Sequence, residues 1–151
     1  MTKFKFRLKT VLDVKELRKK QAVVDYVELL RYLEIQEQIL SDLINKSTEI
    51  SAIMTDEASA GISAFDIKTH SAFLRRIYKD IKNQSKVVDE IQKEKQNMQT
   101  ALFKLHNEVE VLDNLKQRQQ LAFLTELFKQ EEKKTDEFVT YSIMNMKRSS
   151  I

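Results

Sequence analysis

Residues 55–65 have the sequence TDEASAGISAF and contain the only glycine of a 151-residue chain that has no proline. Glycine supplies the left-handed backbone conformation with which many helices end. Ser63 lies three residues before Asp66, so it can serve as an N-cap with an acidic residue in the first turn of a following helix. The stretch therefore predicts one turn, at about residues 55–64, between two helices.

Apolar residues recur at alternating steps of three and four residues on both sides of this turn. Such a heptad pattern is typical of a left-handed coiled coil, because it keeps one stripe of each helix facing its partner. The polar exceptions are Gln36, Ser47, His70, Gln84 and Lys95. The first series is Ala22, Tyr26, Leu29, Leu33, Gln36, Leu40, Leu43, Ser47, Ile50 and Met54. The second is Ile67, His70, Leu74, Ile77, Ile81, Gln84, Val88, Ile91, Lys95, Met98, Leu102, Leu105, Val109 and Leu112.

The two series predict an all-α fold, a long antiparallel two-helix coiled coil (an α-helical hairpin) that forms one domain over residues 1–151. Helix 1 is expected at about 5–54 and helix 2 at about 65–146. A chain that folds back at Gly61 places residue i opposite roughly residue 122 minus i. Residues after about Leu115 then overhang, so the apolar groups near the C-terminus, such as Phe138 and Tyr141, lack an intrachain partner. An unpaired amphipathic helix indicates another molecule.

The composition favours a binding protein over an enzyme. One glycine cannot build a phosphate-cradling loop, there is no cysteine nucleophile, and His70 and His106 lie too far apart to share a site on one helix. We expect no catalytic residue, no cofactor and no metal. The absence of cysteine fits a reducing compartment, which makes the cytoplasm the default, and we find no signal peptide and no transmembrane span.

The N-terminal segment is locally basic, although the net charge of the whole chain is only +3. Anchoring to an acidic protein, binding at a membrane surface and contact with nucleic-acid phosphates all remain open, as does a merely solvated terminus. The balanced net charge does not demand nucleic acid, and we expect none. The basic residues are Lys3, Lys5, Arg7, Lys9, Lys15, Arg18, Lys19 and Lys20.

Some residues in and beside the seam have two interpretations. His70 is either a pH-sensitive or partner-contacting group or a partly buried histidine near the turn, and Lys95 either specifies register or packs only its stem. Several apolar residues off the seam form either a docking stripe or a broadened seam. They are Leu30, Tyr32, Ile39, Ile44 and Phe73.

Three segments near the ends of the chain resemble motifs of the flagellar export protein FliJ family, whose members are components of the flagellar type III export apparatus. The middle of the chain is generic heptad sequence. The segments are Phe4, Phe6, Arg7, Leu8 and Leu12, similar to F-x-F-R-L-x-x-x-L; Leu112, Leu115, Lys116 and Arg118, similar to L-x-x-L-K-x-R; and Glu131, Lys133, Asp136 and Glu137, similar to E-x-K-x-x-D-E.

The resemblance implies a stalk at the centre of the hexameric export ATPase, on the cytoplasmic face of the export apparatus. It also implies contacts with export chaperones and with the export-gate membrane protein, and at most a peripheral association with the membrane. The alternative is a general coiled-coil chaperone or scaffold of a secretion system with no role at an ATPase ring. The charged residues expected to face the ring are Arg7, Lys9, Arg18, Lys116, Arg118, Lys133 and Glu137.

Overall fold

Two long helices pack against each other in the computed structural model, which describes residues 3–150. Helix α1 is Lys9–Ala60 and helix α2 is Ala64–Ser149. No strand occurs among the described residues. The predicted all-α helical hairpin is confirmed. Within the same residues, neither helix has a stretch that is both long and apolar enough to cross a membrane.

Helix α1 begins at Lys9, later than the predicted start at about residue 5. Residues 3–6 are not helical. Phe4 is half-buried and Phe6 is buried, whereas Lys3 and Lys5 are exposed. Because alternation with a period of two places both rings on one side of an extended segment, burying both rings favours an extended start over a helical one. The Lys9 amide donates to the Phe6 carbonyl at 3.2 Å where the helix begins.

The connection between the helices is shorter than predicted, because α1 continues to Ala60 and does not end at about residue 54. The polar residues of this stretch fit into the helix. The hydroxyls of Thr55 and Ser59 donate to carbonyls four residues earlier, at 2.9 and 3.1 Å. Only residues 61–63 therefore connect the helices, and Gly61 has a positive φ of 88°. Helix α2 begins one residue before the predicted position and extends to Ser149, beyond the predicted end at about residue 146.

Ser63 caps helix α2, as the sequence predicts. Its hydroxyl oxygen accepts a hydrogen bond from the Asp66 amide at 3.2 Å, and the same hydroxyl donates to the Asp66 carboxylate at 2.6 Å. The Ile67 amide donates to the Ser63 carbonyl at 3.2 Å. An amide of the first helical turn, which lacks a helical partner, is thereby satisfied.

The predicted seam agrees with the observed burial. Every residue of both heptad series is buried or half-buried except Ile67, which is 42% exposed. The register relation places Ile67 opposite Thr55, whose short polar side chain offers little apolar cover. Ser47 is buried in the seam, and its hydroxyl donates to the Ile44 carbonyl at 2.7 Å within the same helix.

Contacts divide the hairpin into two units, and unit 1 consists of the described residues up to Arg18 and from Leu105 onward. Its core contains Phe6, Leu12 and Val109, against which Phe4, Leu112 and Leu115 pack. Continued backward from Ala22 in steps of three and four, the seam would pass through Lys15. The side chain of Lys15 donates to Glu108 at 2.6 Å. The seam thus accommodates this lysine through an interhelical ion pair that the heptad pattern alone does not predict.

Unit 2 is Lys19–Lys104. Its core contains Leu33, Val88 and Ile91, with Leu29, Leu40 and Val87 packed against them. The two glutamines of the seam meet here, because the Gln84 side-chain amide donates to the Gln36 carbonyl at 3.0 Å and to Gln36 Oε1 at 2.8 Å. The Gln36–Gln84 contact in unit 2, like the Lys15–Glu108 contact in unit 1, lies within about two residues of the register predicted from a heptad hairpin.

Candidate partner-binding surfaces

The last part of α2 in unit 1 has almost no intrachain cover. We call residues 128–149 the C-terminal tail. Among these residues only Ser142 is even half-buried. Phe138 is 71% exposed and Tyr141 is 66% exposed, and other large apolar side chains of the tail are similarly open. Because exposed aromatic groups of this size are unusual on a surface without a partner, the tail is a candidate binding surface.

The seven charged residues predicted to bind a partner all belong to unit 1. Lys116 is half-buried and the other six are exposed. Across residues 3–150, none of the seven side chains forms an ion pair with another described residue. Their charges are therefore available to a partner, although no contact brings the seven side chains together into one cluster.

An aromatic contact holds the N-terminal segment on α2. The rings of Phe4 and Phe123 lie 5.7 Å apart between centroids and are tilted by 49°. Phe4 stands between Lys3 and Lys5, so this contact fixes two basic residues of unit 1 beside α2. Sequence reasoning did not single out Phe123. The sequence feature that could have indicated this contact is the alternation of aromatic and basic residues at the start of the chain. Such alternation indicates an extended segment with one apolar side.

The five residues predicted as a docking stripe lie in unit 2, where Leu30 is half-buried and the other four are exposed. Heptad positions divide them into two rows. Tyr32 and Ile39 each precede a seam residue by one position, whereas Leu30 and Ile44 each follow one, so the two pairs flank the seam on opposite sides.

Phe73 belongs to the side of Tyr32 and Ile39. It precedes the seam residue Leu74, and Lys46, which precedes Ser47, places its Nζ 5.5 Å from the Phe73 ring centroid. Residues that precede the seam on two antiparallel helices lie on the same side of the pair. We define the unit 2 row as Tyr32, Ile39 and Phe73.

His70 and Lys95 are polar residues of the second heptad series. His70 is half-buried, and its Nε2 lies 3.1 Å from Glu57 Oε2 beside the turn. Lys95 is half-buried, as either of its two interpretations requires. No group of three or more histidine, aspartate or glutamate side chains among residues 3–150 could hold a metal ion.

Comparison with known proteins identifies a family that the chain matches. A protein-family model described as "Flagellar FliJ protein" matches residues 4–148. No curated protein and no solved structure is significantly similar to the chain. The match extends from Phe4, which packs on Phe123, to Arg148 in the C-terminal tail, so it includes nearly all of both helices and the candidate surfaces of both units.

Proposed function

The chain belongs to the FliJ family of flagellar proteins, and from this membership we propose that it is a non-enzymatic stalk that binds the hexameric flagellar export ATPase. Its role is in flagellar type III protein export. In this proposal the protein acts at the cytoplasmic face of the export apparatus, promotes assembly or activity of the ATPase, and contacts export chaperones and the export-gate membrane protein.

The observation that carries the proposal is the uncovered tail of unit 1. A helix that keeps Phe138, Tyr141 and Met146 in water has a large apolar area to bury when a partner surrounds it. Lys133 and Glu137, both exposed, precede these apolar groups in the tail. Mixed charge of this kind gives orientation and specificity to an interface whose affinity comes mainly from apolar burial.

A stalk can promote ring assembly without taking part in chemistry. A ligand that contacts several subunits at once binds only the assembled ring, and by mass action it shifts the equilibrium from free subunits toward that ring. It raises ATP turnover to the extent that it binds the active arrangement of the subunits more tightly than the inactive one. Neither effect requires a catalytic group on the stalk.

Charge reversal in the tail tests the proposal directly. We expect Lys133→Glu and Glu137→Lys to reduce both the affinity for the purified export ATPase and its stimulation, with helicity unchanged because both side chains are exposed. Lys82→Glu is the matched control, since Lys82 is an exposed lysine of α2 in unit 2. Unchanged binding and stimulation in both tail variants, or equal loss in the control, would contradict the proposed ring contact.

A shortened chain tests the same surface by removal. A chain that ends at Gln130 retains Phe123 and hence the contact that holds Phe4, so we expect the hairpin to keep its circular dichroism spectrum. It is expected to lose capture by the immobilised ATPase ring. If the shortened chain binds the ring as the full chain does, the tail is not the ring contact. If the full chain binds unfolded export clients and ignores the ring, the chaperone or scaffold alternative replaces the stalk.

We assign the unit 2 row to the remaining partners, the export chaperones and the export gate. Replacing Tyr32 and Phe73 with serine separates a docking surface from a broadened seam. A docking surface predicts loss of partner binding with little change in melting temperature, whereas a broadened seam predicts a large fall in melting temperature. Tyr78→Ser is the matched control, because Tyr78 is exposed but follows the seam residue Ile77 and so lies on the opposite side.

A further inference from the structure

A second heptad stripe lies on α2 beyond the end of the hairpin seam at Leu112. It consists of six residues of unit 1 at successive steps of three, four, three, four and three. Its middle positions carry opposite charges, and its ends are apolar. Leu127 is half-buried and the other five residues are exposed. The tail stripe is Leu124, Leu127, Glu131, Lys134, Phe138 and Tyr141.

The tail stripe is complementary to itself when it is reversed. In an antiparallel pair of helices, each a position of one heptad repeat lies opposite a d position of the other. A two-fold axis between residues 132 and 133 places Glu131 opposite Lys134 of a second copy. The same axis places Leu127 opposite Phe138 and Leu124 opposite Tyr141. Each of these pairs occurs twice, so the interface has two central ion pairs flanked by four apolar pairs.

From this match we propose that the tail stripe is a self-association site, at which the tails of two copies of the chain form an antiparallel coiled coil. The proposal depends only on this chain and not on the proposed binding of an ATPase. Among residues 3–150 of the single chain, neither Glu131 nor Lys134 forms an ion pair, so both charges of the tail stripe are open to a second copy.

The charges select this arrangement over the other ways of pairing the tails. A parallel pair in register would place Glu131 beside Glu131 and Lys134 beside Lys134, and like charges at facing positions weaken an interface. An antiparallel pair shifted by one heptad would place these charged side chains opposite the apolar ends of the other stripe. Burying the charges there has a desolvation cost. Apolar burial thus supplies the attraction, whereas the two charges specify orientation and register.

Charge exchange on the full-length chain tests the site. By sedimentation velocity over a concentration series, we expect wild type to dimerise. Glu131→Lys and Lys134→Glu, each tested alone, are expected to raise the dissociation constant at least about tenfold, because each places like charges opposite one another twice in the dimer. The double variant E131K/K134E restores the dimer. A one-to-one mixture of the two single variants also restores it, since each chain now carries the charges that the other lacks.

Lys129→Glu provides the matched control. Lys129 is exposed, five residues from Lys134, and lies on the side of α2 away from the tail stripe, so the same change of charge should leave the dissociation constant unaltered. Circular dichroism of each variant confirms retained helicity. A wild-type chain that stays monomeric up to about 1 mM, where even a weak complex forms, overturns the proposal. So does a dimer that K129E and K134E weaken equally, or one that neither the double variant nor the mixture restores.

Discussion

Replacing the two glutamines of the unit 2 seam with leucine gives a quantitative test of the packing. Gln84 donates two hydrogen bonds to Gln36, at 3.0 and 2.8 Å, and both side chains are half-buried. Each such bond contributes about 0.5–1.5 kcal/mol net, and partial access of water puts the pair near the lower end. A half-buried leucine gains about 1 kcal/mol, roughly half the value for full burial.

These magnitudes predict a strongly non-additive cycle. Gln84→Leu loses both bonds and gains one leucine, so its stability should stay within about 0.5 kcal/mol of wild type. Gln36→Leu loses only the bond to Oε1, because the carbonyl acceptor belongs to the main chain, and should be similarly close. The double variant loses no further bond but gains both leucines and their mutual contact. We expect it to be about 1–2 kcal/mol more stable than wild type.

Urea unfolding followed by circular dichroism measures the four free energies of unfolding, and equal m-values establish that the variants are comparable. The expected coupling between the two positions is about 1 kcal/mol. Two results would refute the reasoning: a double variant less stable than wild type, or single effects that add within about 0.3 kcal/mol. The first result would mean that the glutamines stabilise the hairpin by more than the leucines that could replace them, and the second would mean that the two side chains do not interact measurably.

Three further predictions concern stability and use the same urea assay. Leu12 is only 2% exposed, so Leu12→Ala should lower the free energy of unfolding by about 3 kcal/mol. Leu17, on the same helix, is 69% exposed, so Leu17→Ala should lower it by less than about 0.5 kcal/mol. Gly61→Ala should cost about 1–2 kcal/mol from backbone strain alone, because φ is +88° and an added Cβ would meet no atom within 4 Å; Gly61→Asn should cost less. Ser63→Ala should cost about 1 kcal/mol by removing the N-cap, whereas Ser63→Thr, which keeps a hydroxyl able to accept from the Asp66 amide and donate to the Asp66 carboxylate, should retain most of the stability.

The hairpin and its register were predictable because a heptad repeat encodes both. Steps of three and four fix which face of each helix is buried, and one glycine between two such series fixes where the chain reverses. Leu33 and Val88, buried in one core cluster, are examples from the two series. The polar seam residues followed the same geometry. The Gln84 side chain donates a hydrogen bond to Gln36, and the Ser47 hydroxyl donates to a carbonyl of its own helix.

The ends of α1 could not be predicted by the same reasoning, because the seam does not determine them. At the N-terminal end, an extended segment buries Phe6 and half-buries Phe4, an arrangement that the heptad pattern does not describe. At the other end, the polar stretch before Gly61 resembles a loop in composition. Its threonine and serine hydroxyls bond to carbonyls of the preceding turn, so these polar side chains find hydrogen-bond partners within a helix and do not require a loop.

The partner surfaces show a different limit. A second helix that overhangs the first, with apolar residues in the overhang, predicts that the tail is uncovered, and Phe138 and Tyr141 are indeed exposed. The sequence pattern does not identify the molecule that covers the tail. The assignment of charged residues to the ATPase ring therefore depends on family membership. A second copy of the chain is the exception, because its sequence is known. Self-complementarity of the tail stripe can therefore be tested residue by residue, as Glu131 and Lys134 illustrate.

The two proposals for the tail compete, and this competition gives a last prediction. A tail paired with a second copy cannot enter a ring. The apparent affinity of the chain for the ATPase should therefore equal the affinity of the monomer multiplied by the fraction of chain that is monomeric. At the concentration where half of the wild-type chain is monomer, Lys134→Glu should bind about twofold more tightly than wild type. At high dilution the two should bind equally, whereas Lys133→Glu should bind more weakly at every concentration. If the K134E advantage persists on dilution, residue 134 acts at the ring itself and self-association does not limit ring binding.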